Sequence, residues 1–353
     1  MISTFYKRQA GLSLVELMIA ITLSLILIAG VLQIFLSSKQ TYSTNSALSR
    51  VQESGRFAMD FLTQDIRNTG YKGQCMGQPL THGNIDILWR LDDPIEGWNN
   101  IESKLPTHLS DTPVNGTDTI RVKLAAGPEE IQAASSNIAS NDTISFGSNT
   151  SGVAQHAITL VSDSIACDLF RNTAESNATS VSKTAGADWT HNYTETTEVL
   201  PLQNSTYYIR ANDGRPNSLV RQRLSTSTSN PTWITEELVD GIQDMQILYG
   251  TAGANRQVTD YVPANDVTNW ENIVSVRITL LAVTADTNIT PEAQIYDRAK
   301  GLICPKPAAS EEEEEETPPA SSNECTTATS IDIPNRRLAQ VFSTTIGIRN
   351  RLP

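Results

Sequence analysis

Apolar and polar residues separate sharply at the start of the chain. Residues 12–36 read LSLVELMIAITLSLILIAGVLQIFL, and Glu16 is the only charge among them. That run exceeds the ~20 residues a helix needs to cross a bilayer. A polar patch follows, SSKQTYSTNSALSR. From there Leu48, Val51, Ala58, Phe61 or Leu62, and Ile66 recur at helical steps. This spacing places them on one face of an amphipathic helix. Gly55 interrupts that face only mildly, and Gly70, after DIRNT, stands where a C-terminal cap belongs. The pattern predicts one helix from Leu12 to about Thr69, roughly 85 Å long at ~1.5 Å per residue. Its apolar half covers 12–36, and its amphipathic half, 37–70, packs on a globular head.

Beyond residue 71 the pattern becomes that of strands and loops. TDTIRVKLAA and HAITLV predict strands, with NDTISFG a further short one, between Ser/Asn/Thr-rich loops at 133–155 and 171–197. TYYIRANDGRPNSLVRQRL predicts a hairpin with arms Tyr207–Arg210 and Ser218–Leu224, turning at Asn212, Asp213 and Gly214. Asn212 and Asp213 lack EF-hand spacing, so they read as turn chemistry rather than calcium ligands. EELVDGIQDMQILYG (236–250) predicts a helical acidic start running into a strand at Met245–Tyr249. In WENIVSVRITLLAVT (270–284), Val274, Val276, Ile278 and Leu280 alternate with Ser275, Arg277 and Thr279, as in a half-buried strand. Residues 335–353 predict a final strand or pair of strands. The expected class is α+β: a long N-terminal helix on an antiparallel β-sheet head, 71–353, with long loops.

The chain has 353 residues, 39% of them hydrophobic and 18% charged, and a net charge of −13. An abundance of Ser, Thr and Asn beside β-branched runs suits a β-rich extracytoplasmic protein. The acidity speaks against nucleic acid, which calls for a basic face. Cys75, Cys167, Cys304 and Cys325 form no C-x-x-C pair and lie far in sequence from the histidines, so no metal site and no cofactor is expected. Widely spaced, even-numbered cysteines behind a membrane segment suggest two disulfides in an oxidising compartment. Three connectivities exist. Pairing Cys304 with Cys325 and Cys75 with Cys167 is preferred, because the first closes a short loop worth roughly 3 kcal/mol. Between Cys304 and Cys325, residues 305–324 hold Glu311–Glu316 between prolines, a run expected to stay disordered and solvated. His82, His108, His156 and His191 fall in polar, loop-like stretches. The chain has no G-x-S-x-G elbow, H-E-x-x-H, P-loop or G-x-G-x-x-G, so catalysis is not expected.

The segment KRQAGLSLVELMIAI resembles the class III signal of type IV pilins and pseudopilins. In that family a basic leader ends in Gly, and an apolar helix follows with Glu at its fifth position. Here Lys7 and Arg8 supply the basic charge of leader 1–11, Gly11 ends it, Leu12 becomes the first residue and Glu16 the fifth. The family usually has Phe where this chain has Leu12. The resemblance implies cleavage after Gly11 by the prepilin peptidase and N-methylation of Leu12. It also gives Glu16 a purpose. A carboxylate in the apolar layer costs several kcal/mol unless paired, and cleavage creates a cationic amine at Leu12. In a fibre the amine of one subunit meets Glu16 of the next, and the pair sets helix register.

VDGIQDMQILYG, the W-x-x-I-V-S-V-R-I-x-L strand starting at Trp270, and R-R-x-x-x-x-F-x-T-T-I-x-I-R-N starting at Arg336 are similar to the PilW family of type IV pilus assembly proteins. DIRNTGYKG (65–73) fits the same family. That resemblance implies a minor pilin that primes assembly and sits in a tip complex with other minor pilins, supporting piliation, twitching motility and adhesion. Its implied partners are the major pilin, the prepilin peptidase, the inner-membrane assembly platform and a large tip adhesin. The implied location is the inner membrane with a periplasmic head, then the pilus tip outside the cell. The rivals are a J-like minor pseudopilin of a type II secretion system and a membrane-anchored periplasmic binding protein that never enters a fibre. The last would keep Met1 or Lys7 on its N-terminal peptide.

Overall fold

The computed structural model describes residues 13–99, 109, 111–125, 140–147, 149–194, 196–225, 232–253, 255–307 and 325–351. One helix, α1 (Leu14–Arg67), leads into the head. Its end is tied down by Thr69 N–H donating to Ile66 O, and by Gly70 N–H donating to Lys123 O of the head at 2.9 Å, with Gly70 in the left-handed region. The strands follow in order: β1 (Leu80–Thr81), β2 (Ile95–Trp98), β3 (Thr119–Ala125), β4 (Thr143–Ser145), β5 (Ile158–Ser162), β6 (Cys167–Arg171), β7 (Ser180–Ser182), β8 (Glu198–Arg210), β9 (Ser218–Ser225), β10 (Thr232–Asp240), β11 (Ile242–Ala252), β12 (Val258–Val262), β13 (Ile273–Val283), β14 (Gln294–Asp297), β15 (Leu302–Pro305), β16 (Ser330–Ile333) and β17 (Ala339–Gly347).

They form four sheets. The largest has eight strands along the path β1-β6-β5-β8-β3-β2, with β9 on β8 and β10 on β9. The second is β12-β11-β13-β17, all antiparallel, and the third is β15-β14-β16. β4 and β7 pair alone. The architecture is α+β. The main core lies where α1 meets both large sheets. Val51, Ala58, Leu62 and Ile66 of α1 pack there with Ile120, Tyr207, Met245, Ile278 and Ile346.

The buried face of α1 is Ala47, Val51, Gly55, Ala58, Leu62 and Ile66. Leu48 and Phe61, candidates for that face by spacing, are exposed instead, and Leu62 points inward. The segment 236–240 is not helical. It belongs to β10, which pairs antiparallel with β9, and Gly241 turns directly into β11 at φ 83°. Cross-strand chemistry explains the departure: Glu236 bonds both Arg221 (2.8 Å) and Arg223 of β9, and Glu237 bonds Arg210. Such pairing outweighs the modest helix preference of a short acidic stretch. The hairpin arm Tyr207–Arg210 is the end of the longer β8. β4 is the short strand expected in NDTISFG, the loop expected at 171–197 also contains β7, and the described residues of 335–353 hold one strand, β17. His108 and the run Glu311–Glu316 lie outside the described residues.

Candidate assembly site

The first half of α1 touches nothing. Its large apolar side chains from Leu14 to Leu36 are all more than half exposed, and Phe35 is 62% exposed. Water would make this costly at ~25 cal/mol per Å² of apolar surface, so the surface calls for lipid or neighbouring helices. Two hydroxyls along it are satisfied within the helix: Thr22 donates to Met18 O, and Ser24 donates to Ala20 O at 2.7 Å. That is how hydroxyls are accommodated where no water is available. Among the described residues this is the one helix long and apolar enough to cross a membrane.

Glu16 stands in the first turn of α1, where the helix dipole favours a carboxylate. Ser13 precedes it, its carbonyl accepting from Leu17 N–H at 3.1 Å. Lys7, Arg8, Gly11 and Leu12 lie outside the described residues.

The second half of α1 is fastened to the head. Asp65 accepts from Tyr207 Oη of β8, and Arg50 pairs with Asp286 at 3.2 Å. Asn350 Nδ2 donates to Thr69 O at 3.2 Å. At the centre Gly55 lies under the ring of Phe342 from β17. These contacts fix the head to the second half of α1.

Two disulfides stiffen the head. Cys75–Cys167 joins the segment after α1 to β6, with Cα atoms 5.4 Å apart, and Cys304–Cys325 spans 6.1 Å beside the third sheet. The second bridge is flanked by Asp297, which accepts from Ala299 N, Thr326 N and Thr329 Oγ1 at 2.7–2.9 Å. Burial pushes the Asp297 carboxyl up, but these donors outweigh it and hold it below the usual range.

The spacing of polar residues did not reveal a network around Asp168. This carboxylate is fully buried on β6. It lies 2.8 Å from His82 Nε2 and accepts from Thr190 N (3.0 Å), Thr190 Oγ1 and Tyr193 Oη. Trp189 covers it, edge-on to His82 and Tyr193. Burial pushes the Asp168 carboxyl up, but the bonds from His82, Thr190 and Tyr193 prevail and keep it below its ordinary value. His82 is thus a loop residue, as expected, but a buried one that braces Asp168. The only sequence signal is the cluster Trp189, Thr190, His191, Tyr193 inside a polar stretch. Asn212 acts as a turn residue, donating to Pro216 O at 3.0 Å. Among the described residues no three His, Cys, Asp or Glu side chains are grouped to hold a metal ion.

A single exposed apolar helix joined to a disulfide-bonded β head fits a membrane-anchored, pilin-like chain. The family model described as Type IV Pilus-assembly protein W matches residues 206–350, and the Prokaryotic N-terminal methylation motif matches residues 6–32. No curated protein and no solved structure gives a significant match. The two matches support a type IV pilus-related minor pilin. Both families are structural pilus components rather than enzymes.

Proposed function

We propose that this chain is a minor pilin that primes type IV pilus assembly and resides in a tip complex with other minor pilins. The observation that carries the reading is the union of three features in one chain. These are a prepilin motif over 6–32, an apolar half-helix with no partner inside the subunit, and a W-type segment over 206–350 that builds the sheet on which the helix docks.

The mechanism is assembly. Lys7 and Arg8 hold the leader on the cytoplasmic side. The prepilin peptidase cuts after Gly11, and Leu12 is N-methylated. The inner-membrane assembly platform draws the helix out of the bilayer, and its apolar half packs among pilin helices. The amine of Leu12 in one subunit meets Glu16 of the next, each charge offsetting the desolvation of the other. The head crosses from the periplasm to the outside, where the disulfides keep it folded. Its bulk makes many copies along a shaft sterically awkward, which supports a place at the tip beside the major pilin and under a large adhesin.

The test is surface fibre abundance in a deletion strain, with the retraction motor present and then removed. Fibres that vanish, and return only in part when retraction is disabled, support priming. Normal fibres in both backgrounds overturn it and direct attention to protein secretion by a pseudopilus.

A further inference from the structure

Open sheet edges recruit other strands unless something blunts them. Charges, proline, bulges and short length are the usual devices. The head uses them on nearly every edge. β10 carries Glu236, Glu237 and Asp240, and β12 carries Asp260 and a register shift opposite Thr251. β2 carries Glu96, β16 carries Asp332, and β15 ends in Pro305. β1 has two residues, and β4 and β7 three each.

β17 is the exception. Its nine residues, AQVFSTTIG, include no charge and no proline. It pairs with β13 without a bulge from Ser275↔Gly347 to Val283↔Ala339, and among the described residues no strand lies on its other side. Backbone groups of a strand point alternately to its two sides, so about half of those in β17 face away from β13. Both faces of the strand are supported. Phe342 and Ile346 pack toward α1, and Val341 packs on the third sheet. Ser343 and Thr345 remain exposed. The edge is therefore regular, and none of these devices lies along it among the described residues.

We infer that β17 is a docking edge, and that it takes an extended, uncharged strand from a different chain. Strand addition of this kind draws affinity from main-chain hydrogen bonds and specificity from alternating side chains. The partner strand is apolar where it continues the row of Phe342 and Ile346. It is neutral and polar where it continues Ser343 and Thr345.

A second copy does not fit: head to tail, β17 would meet an edge that carries charge, a bulge or proline, or one of three residues or fewer. Two copies joined in a closed pair through the same edge run antiparallel, related by a two-fold axis perpendicular to the sheet. That axis reverses every direction in the sheet plane. Because α1 lies against this sheet, the two apolar half-helices would leave in opposite directions. Chains anchored in one bilayer, or packed in one polar fibre, cannot be arranged so. This step rests on the membrane-anchored reading above.

The test uses the full chain in its own cells, with a photo-crosslinking phenylalanine analogue at Ser343 or at Thr345. Crosslinks are mapped by mass spectrometry. The expected result is attachment to one other chain from both positions, at sites two residues apart in an extended segment. Two further variants, Thr344→Pro and Thr345→Pro, are combined with the probe at Ser343. Neighbouring amides point to opposite sides, so one variant loses a bond to β13 and melts lower. The other keeps its melting temperature and loses the crosslink. Attachment to a second copy, scattered attachment, no attachment, or a crosslink that survives both proline variants overturns the inference. Fibre abundance is scored in the same cells. Absent priming with an intact crosslink pattern counts against the proposed function alone, and the reverse counts against the docking edge alone.

Discussion

The ring of Phe342 rests on Gly55: a Cβ built on Gly55 would come within 2.2–2.5 Å of three ring carbons. This contact joins α1 to β17 of the C-terminal sheet. In an exposed helix Gly→Ala would add about 1 kcal/mol of stability. Here Gly55→Ala is expected to destabilise the head by about 1–2 kcal/mol, since the overpacking cost exceeds the propensity gain. Phe342→Ala alone should cost about 1–3 kcal/mol. The double variant should lose less than the sum, because removing the ring makes room for the methyl. Thermal melts of the four proteins measure that coupling, and strict additivity would disprove the contact.

Glu16→Gln preserves shape and removes charge. Cleavage after Gly11 should stay normal, while incorporation into fibres falls more than ~tenfold, a change that needs only about 1.4 kcal/mol. Immunoblots of membrane and sheared-fibre fractions report both. Normal incorporation of the variant would rule out a register role for the carboxylate.

The folded carboxyls of Asp168, Asp297 and Glu236 all lie below their ordinary values. A depressed carboxyl contributes stability that is fully present above its unfolded pKa of about 4 and lost as pH falls through the folded value. The head should therefore hold constant stability from neutral pH down to about pH 4 with respect to these groups, and weaken below it. Asp168→Asn should cost about 2–3 kcal/mol at pH 7, because it weakens hydrogen bonds to a charged acceptor. It should also flatten the acid limb of the melting temperature against pH. An unchanged acid limb would show that the His82–Asp168 network does not govern acid stability.

The two disulfides should differ in weight. Cys75 and Cys167 are separated by 92 positions, Cys304 and Cys325 by 21. On the chain-entropy account the first contributes about 4–5 kcal/mol and the second about 3 kcal/mol. Paired Ser substitutions, each melted under oxidising conditions, should show the larger loss for Cys75 and Cys167.

The N-terminal helix was legible because its signals are local. An apolar run, an isolated carboxylate and a three-and-four spacing all lie within one stretch of chain and do not depend on what surrounds it. The strands at 119–125, 158–162 and 273–283 were legible for the same reason: β-branched residues alternate or cluster within a few positions. Both cysteine pairings also followed from spacing, since a short loop is the cheapest to close.

What failed depends on partners distant in sequence. Glu236 and Glu237 look helical until Arg221, Arg223 and Arg210 are laid beside them in β9 and β8. His82 does lie in a loop, but its burial shows only when Asp168 and Trp189, far along the chain, are laid against it. Gly55 looks like a mild interruption until Phe342 arrives from the last strand. The open edge of β17 is equally invisible in one dimension, because only a sheet defines which strand stands outermost. The sequence by itself determined the elements whose energies are local, namely the helix, its apolar half and the turn chemistry. The tertiary structure alone decided that Leu62 rather than Phe61 turns inward, the buried carboxylate network and the unpaired edge, because each is a contact energy between residues that chain order keeps apart.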